Sequence, residues 1–196
     1  STLKILISMD NIDKKYFDVL SFTGGSVKGV GLSAIGVGIL KGGYNPNIII
    51  TESVSSLFGI HLAMRKFDEL KEAMFGFDQS IIFGKYPPLN KKGTLPSYSG
   101  IKRVITLKDS LGKQDALINY IRKYITTELY KEYLDGDYAD VIVATSDFNT
   151  GRIIYHNLKN IIDVEVALKL MLASCNIAVL INGIKIDNHY HYDGGM

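Results

Sequence analysis

Cysteine is nearly absent: a single residue, Cys175, in a chain of 196. No internal disulfide can form, and nothing requires an oxidising compartment. Cys175 lies in the apolar run Met171-Leu172-Ala173-Ser174-Cys175, so it reads as a buried small hydrophobe and not as a catalytic thiol. Neither sign of charge prevails: 22 lysines and arginines stand against 20 aspartates and glutamates, a formal net charge of +2. That balance leaves no electrostatic footprint for nucleic acid, and no such partner is expected. Long apolar runs are missing too. No stretch is long enough to span a bilayer, and the opening Ser1-Thr2-Leu3-Lys4 lacks the basic and apolar regions of a secretory signal. The expectation is a cytoplasmic chain, at most peripheral at membranes. Internal repeats, low-complexity tracts and long linkers are also absent.

What is there is ordinary globular composition, 46% hydrophobic and 21% charged, at a length that suits one domain with a sizeable core. Residues 15–23 are rich in β-formers and end at Gly24-Gly25, a strand running into a turn. Residues 27–41 carry Val27, Val30, Ala34, Ile35, Val37 and Leu40 at helical spacing. Glycines at 29, 31, 36 and 38 would weaken an exposed helix, so they predict close packing on a sheet. Residues 47–51, Asn-Ile-Ile-Ile-Thr, form the continuous apolar run of a strand buried on both faces. The helical pattern resumes after Ser53 through Leu57, Ile60, His61 and Met64. This alternation predicts an α/β domain with a largely parallel sheet.

Farther along, residues 77–104 hold three of the four prolines (Pro87, Pro88, Pro96) with Lys85, Lys91, Lys92, Lys102 and Arg103. They read as a solvated connector, or as a lid meeting anionic headgroups. Residues 113–134 read as one long amphipathic helix and 139–146 as a strand. Asn149-Thr150-Gly151 is a turn and 152–156 a hairpin return. Residues 163–174 look helical, with short strands at 184–187 and 189–193 around Asn188.

Three segments are suited to chemistry. Gly24-Gly25-Ser26-Val27-Lys28-Gly29 lies between a strand and a helix. Glycine lets the backbone turn its N–H groups outward, and the helix N-terminus adds positive partial charge. The loop suits a phosphate or a developing oxyanion, although a plain tight turn explains it equally well. It lacks both the P-loop spacing and the dinucleotide fingerprint. Thr51-Glu52-Ser53-Val54-Ser55 falls between a buried strand and a helix, where a nucleophile elbow exposes its serine. The usual elbow is Gly-x-Ser-x-Gly; here Thr51 and Ser55 stand in place of the glycines. His191-Tyr192-Asp193-Gly194-Gly195 is by itself a turn signal.

Other polar residues read more plainly. His189 and His191 alternate on one strand face, but no third ligand is evident, and no metal is expected. Asp147 reads as a turn aspartate, Glu52 as a solvated neighbour of Ser53 able to tune access or charge, and His61 as packing. His156 closes a hairpin and is given no role.

Taken together and in this order, the three segments resemble the patatin-like phospholipase family. That family carries Gly-Gly-Gly-x-Lys/Arg-Gly, then Gly-x-Ser-x-Gly, then Asp-Gly-Gly or Asp-Gly-Ala. Asn45-Pro46-Asn47-Ile48-Ile49-Ile50 resembles its proline-led strand into the elbow. Residues 143–151, Val-Ala-Thr-Ser-Asp-Phe-Asn-Thr-Gly, resemble its "ATD-x-x-TG" strand and turn. Ala173-Ser174-Cys175-Asn176-Ile177 resembles its "AS-x-x-I" segment, and Lys185-Ile186-Asp187 precedes the Asp-Gly box as in the family. The likeness covers 17–65 and 138–196.

The resemblance implies a three-layer patatin-like fold with a central, mostly parallel sheet flanked by helices, in a single domain over 1–196. It implies Ser53 as nucleophile and Asp193 as general base, without a histidine, metal or cofactor. Backbone N–H groups of Gly24, Gly25 and Ser26 would form the oxyanion hole, supported by Lys28, Gly29 and Gly194. The implied activity is hydrolysis of a phospholipid or another lipid ester through an acyl-enzyme. The altered elbow motivates an alternative, a catalytically impaired patatin-like protein that binds lipid or a protein partner. A phosphate-ligand module built on Gly24–Gly29 is a third reading.

Overall fold

In the computed structural model, the described residues are 18–24, 28–77, 81, 97–98, 101–102, 115–176 and 182–195. Their elements follow as β1 (Val19–Phe22), α1 (Lys28–Lys41), β2 (Ile48–Glu52), a 3-10 turn (Ser53–Leu57), α2 (Gly59–Ala63) and α3 (Phe67–Phe75). After these come α4 (Asp115–Tyr124), α5 (Thr127–Asp135), β3 (Asp140–Asp147), β4 (Arg152–Asn157), α6 (Val164–Ser174), β5 (Ile184–Ile186) and β6 (His189–Asp193). The α/β class read from the sequence holds: helices flank one central sheet. No helix among the described residues is long and apolar enough to cross a membrane.

The strands lie in the order β1-β2-β3-β6-β5, with β4 also paired to β3. Pairings β1–β2 and β2–β3 are parallel; β4 and β6 run antiparallel to β3, and β5 antiparallel to β6. Four of the six strands therefore share one direction. The register around β3 positions the site. β2 pairs with β3 as far as Glu52 opposite Ala144, and β6 begins on the next residue, with Asp193 opposite Thr145. One edge of β3 thus passes from β2 to β6 between Ala144 and Thr145. The chain leaving β2 at Ser53 and the chain leaving β6 at Asp193 meet end to end there.

Burial is uneven across the two faces. Ile49, Thr51, Val141, Val143 and Thr145 are fully buried, whereas Ile48, Ile50 and Ile142 are only partly covered. The expected strand buried on both faces is therefore half-covered on one. The deep face meets Ile60, Leu70, Leu117, Ile121, Tyr130, Tyr133 and Met171 in one core, each such side chain worth about 1.5–3 kcal/mol of transfer free energy. The close packing read from the α1 glycines applies to two of them. A Cβ at Gly36 would overlap the Phe22 ring and one at Gly29 would crowd Val54, but Gly31 and Gly38 face open space.

The single helix expected over 113–134 is two in the structure; 113 and 114 lie outside the described residues. The chain breaks at Thr126, which is extended (φ −78°, ψ 163°) and whose hydroxyl accepts the Leu129 N–H at 3.2 Å. The apolar spacing runs on through Ile121, Ile125 and Leu129 and hides the cap. Thr126→Ala is expected to cost about 1 kcal/mol, and Thr126→Ser far less. Equal denaturant midpoints for the two variants would refute the capping role.

Candidate active site

Ser53 is the first residue of the turn after β2 and sits at φ 57°, in the left-handed region. A serine there carries strain on the order of 1–3 kcal/mol and persists only where its surroundings over-determine it. The Ser53 N–H donates to Ser174 Oγ at 2.9 Å, and that hydroxyl donates onward to the Ala144 carbonyl at 2.7 Å. The Ser53 carbonyl accepts from Ser56 Oγ at 2.7 Å and from Cys175 Sγ at 3.3 Å. The end of α6 is thus a clamp on the elbow. Cys175 is buried as its run suggested, and burial pushes its thiol up, so it stays a neutral donor. Ser174→Ala would leave the buried Ser53 N–H without this partner, at a cost of about 1–3 kcal/mol. An unchanged melting temperature would argue against the clamp.

The two elbow substitutions fit the turn. Thr51 is fully buried and its hydroxyl donates to the Ile142 carbonyl at 3.0 Å. Its methyl group faces Gly59, where a Cβ would lie 3.1 Å from Thr51 Cγ2 and 2.8 Å from Val141 Cγ1. The missing side chain has moved from the elbow to the helix that follows it. Ser55 Oγ accepts the Glu52 N–H at 3.0 Å and donates to the Glu52 carbonyl at 2.7 Å, so it tightens the turn.

Asp193 is buried, with the Ser53 side chain beside its carboxylate. Its backbone N–H donates to the Asn176 carbonyl at 2.8 Å, and the Gly195 N–H donates to its Oδ1 at 2.9 Å. Burial pushes the carboxyl up; Ser53 and the Gly195 N–H oppose that. Gly194 lies directly on the Ala144 backbone. On the other side, Gly24 abuts Ser53: a Cβ there would be 2.8 Å from Ser53 Cβ and 3.5 Å from its Oγ. Ser53, Asp193, Gly24 and Gly194 are therefore brought together, with Gly29 packed on Val54. Gly25 and Ser26 lie outside the described residues, as does the Lys28 side chain.

The chain is similar in fold to VipD from Legionella pneumophila. The match has a TM-score of 0.58 at 11% sequence identity, and covers 92% of this chain and 46% of VipD. The chain thus spans about half the length of that neighbour. At this identity the likeness is one of fold. No protein-family model and no curated protein matches the sequence.

Glu52 departs from its solvated reading. It is half-buried, and its carboxylate turns back to the Ser55 N–H in a capping box, with the Gly24 N–H also beside it. A Cβ on Gly195 would overlap Glu52 Oε1. Burial and the charge of Asp193 push the Glu52 carboxyl up, and the Gly24 N–H opposes them. Only its place beside Ser53 hinted at this in the sequence.

The remaining polar groups form a network past Ser53 and Asp193. Asp147 accepts from His189 Nδ1 at 2.7 Å, Thr150 Oγ1 at 2.8 Å and the Asn149 N–H at 2.9 Å, as a turn aspartate should. Those bonds, His189 first, hold its carboxyl well below the usual carboxylate range. Thr145 Oγ1 lies between His156 Nε2 at 2.8 Å and His191 Nδ1 at 3.0 Å. Burial lowers His156 to about 4, so it is neutral at physiological pH. His156, assigned no role from sequence, thus ties β3, β4 and β6 together. His61 is buried among the helices, and burial lowers it to about 4. No group of metal-binding side chains occurs among the described residues.

Proposed function

We propose that the chain is a patatin-like serine acyl hydrolase acting on a phospholipid or another lipid ester. The observation that carries this reading is the strained Ser53 at the end of β2, set beside the buried Asp193 at the end of β6. Strain and clamp hold the hydroxyl at the end of the sheet, and a desolvated carboxylate is a competent general base. Asp193 takes the Ser53 proton as Oγ attacks the ester carbonyl. The tetrahedral oxyanion is met by backbone N–H groups of Gly24, Gly25 and Ser26, each such donor worth about 3 kcal/mol of barrier. The proton passes from Asp193 to the leaving alcohol, the acyl group remaining on Ser53. Water then attacks the acyl-enzyme, giving a proton to Asp193, and the fatty acid departs as Ser53 is restored.

The lipid part of the proposal draws on the resemblance and on one surface. Val30, Ala34 and Val37 of α1 face Phe67, Met74 and Phe75 across a groove of about 420 Å³. Ile35 and Phe75 are largely exposed. The groove runs along the helix that starts at the oxyanion loop, a fitting place for acyl chains and for peripheral membrane contact.

A second reading, a fold that retains binding but has lost turnover, is favoured by the place of Glu52 beside the Gly24 N–H. A fluorophosphonate probe separates the two. The hydrolase is expected to be labelled at Ser53, identified by peptide mass, and to release fatty acid from phospholipid vesicles. A folded chain that takes no label after prolonged exposure would leave the binding reading in place.

A further inference from the structure

The Glu52 side chain leaves the last residue of β2 and turns back over the elbow instead of entering solvent. Its backbone is fixed: Glu52 pairs with Ala144, and its N–H and carbonyl are both engaged by Ser55 Oγ. The carboxylate lies beside the Gly24 N–H, and this loop is the one that lies against Ser53. One glycine makes room for it: a Cβ at Gly195 would overlap Glu52 Oε1. On the other side Gly24 abuts the same oxygen, where a Cβ would sit 3.4 Å away, in ordinary contact. A carboxylate, two oxygens on a planar carbon, also resembles in charge and shape what an oxyanion site is built to receive.

From this geometry we infer that the Glu52 carboxylate occupies part of the oxyanion site, and that Ser53 becomes fully reactive only when Glu52 swings out. The inference rests on the hydrolase reading above. It makes the residue before the nucleophile a built-in competitor of the substrate carbonyl. While Glu52 is seated, a tetrahedral intermediate on Ser53 lacks the Gly24 donor. Swinging out is a side-chain rotation that gives up the Gly24 N–H and the Ser55 N–H of the capping box, while the β2 backbone and the Ser55 Oγ bonds stay in place. An ester held by other contacts, such as an acyl chain in the α1–α3 groove, can therefore displace it. A short soluble ester lacks that help and reacts slowly.

The experiment compares wild type, Glu52→Ala and Glu52→Gln. Fluorophosphonate labelling of Ser53 and hydrolysis of a short p-nitrophenyl ester are followed at neutral pH, and the Gly24 amide is followed by NMR. Glu52→Ala empties the seat and is expected to raise both rates about 10²-fold, the share of one oxyanion donor. Glu52→Gln keeps an acceptor oxygen without the charge and is expected to stay within a few-fold of wild type. The Gly24 amide proton is expected to shift strongly in Glu52→Ala and weakly in Glu52→Gln.

Each other pattern overturns the inference in its own way. A Gly24 amide indifferent to both substitutions means that the seat is empty in solution. Equal acceleration by alanine and glutamine means that charge, not occupancy, slows Ser53. A shifted Gly24 amide with labelling no faster than wild type means that occupancy is harmless. No label at Ser53 in any of the three folded proteins refutes the hydrolase reading itself, and the inhibitory role falls with it.

Discussion

Ser53→Ala and Asp193→Asn are each expected to lower kcat/KM on an activated ester by at least about 10³-fold, since nucleophile and base act as a unit. Their effects on stability run the other way. Asp193 is buried with its carboxyl pushed up, so its folded-state pKa lies above the unfolded value near 4. The folded protein then binds the proton more tightly. Stability falls as pH rises from the unfolded pKa toward the folded one, and stays lower above both. Asparagine removes that dependence while keeping an oxygen for the Gly195 N–H. Asp193→Asn should therefore melt no lower than wild type at neutral pH, and higher if the contact with Ser53 survives. Ser53→Gly removes the strain at φ 57° and should also stabilise, by roughly 1 kcal/mol. Inactive but stabilised variants are the signature of groups held for chemistry at the expense of the fold. With Asp193 as the proposed base, turnover is expected to fail at a higher pH than an ordinary carboxylate near 4 would give. Activity in Asp193→Asn comparable with wild type would end the dyad assignment.

Much of the scaffold was legible because it depends on local pattern. The strand at 19–22, the helix from 28 and the strand at 48–52 follow from β-formers and from the spacing of Val30, Ala34 and Val37. The hairpin at Asn149-Thr150-Gly151 and the pair of strands around Asn188 follow from turn chemistry. What escaped the sequence depends on contacts between distant residues. Thr126 caps a helix inside an unbroken apolar period, and only tertiary packing decides that the helix breaks there. The elbow looked poor because its glycines are missing, yet Gly59 takes up the close approach that Thr51 forbids. Ser174 and Cys175 read as part of a buried helix, and their bonds to Ser53 span more than 120 residues of chain. Glu52 read as solvated because a charge beside a turn usually is; the space left by Gly195 draws it inward.

Among the described glycines, Gly194→Ala should be the most damaging, because the atoms it meets are backbone. A Cβ at Gly194 would lie 2.7 Å from the Ala144 carbonyl oxygen and 2.8 Å from both Ala144 C and Cβ. These are atoms of a buried strand, without the freedom of a side-chain tip, so one backbone must move. If β3 yields, the Ala144 carbonyl shifts, and with it Ser174 Oγ and the Ser53 N–H that it holds. If the β6 end yields, Asp193 withdraws from Ser53. Either displacement breaks the dyad, and a misplacement of about 1 Å can cost 10²-fold in rate. Overpacking at a rigid site adds about 1–3 kcal/mol of destabilisation, or several degrees in melting temperature for a domain of this size. The matched control is Gly38→Ala. Gly38 is in α1 with nothing within 4 Å of an added Cβ, so alanine there should stabilise by up to about 1 kcal/mol. A Gly194→Ala protein that melts with wild type and keeps its esterase rate would show that the β3–β6 junction tolerates movement, and that the site does not depend on it.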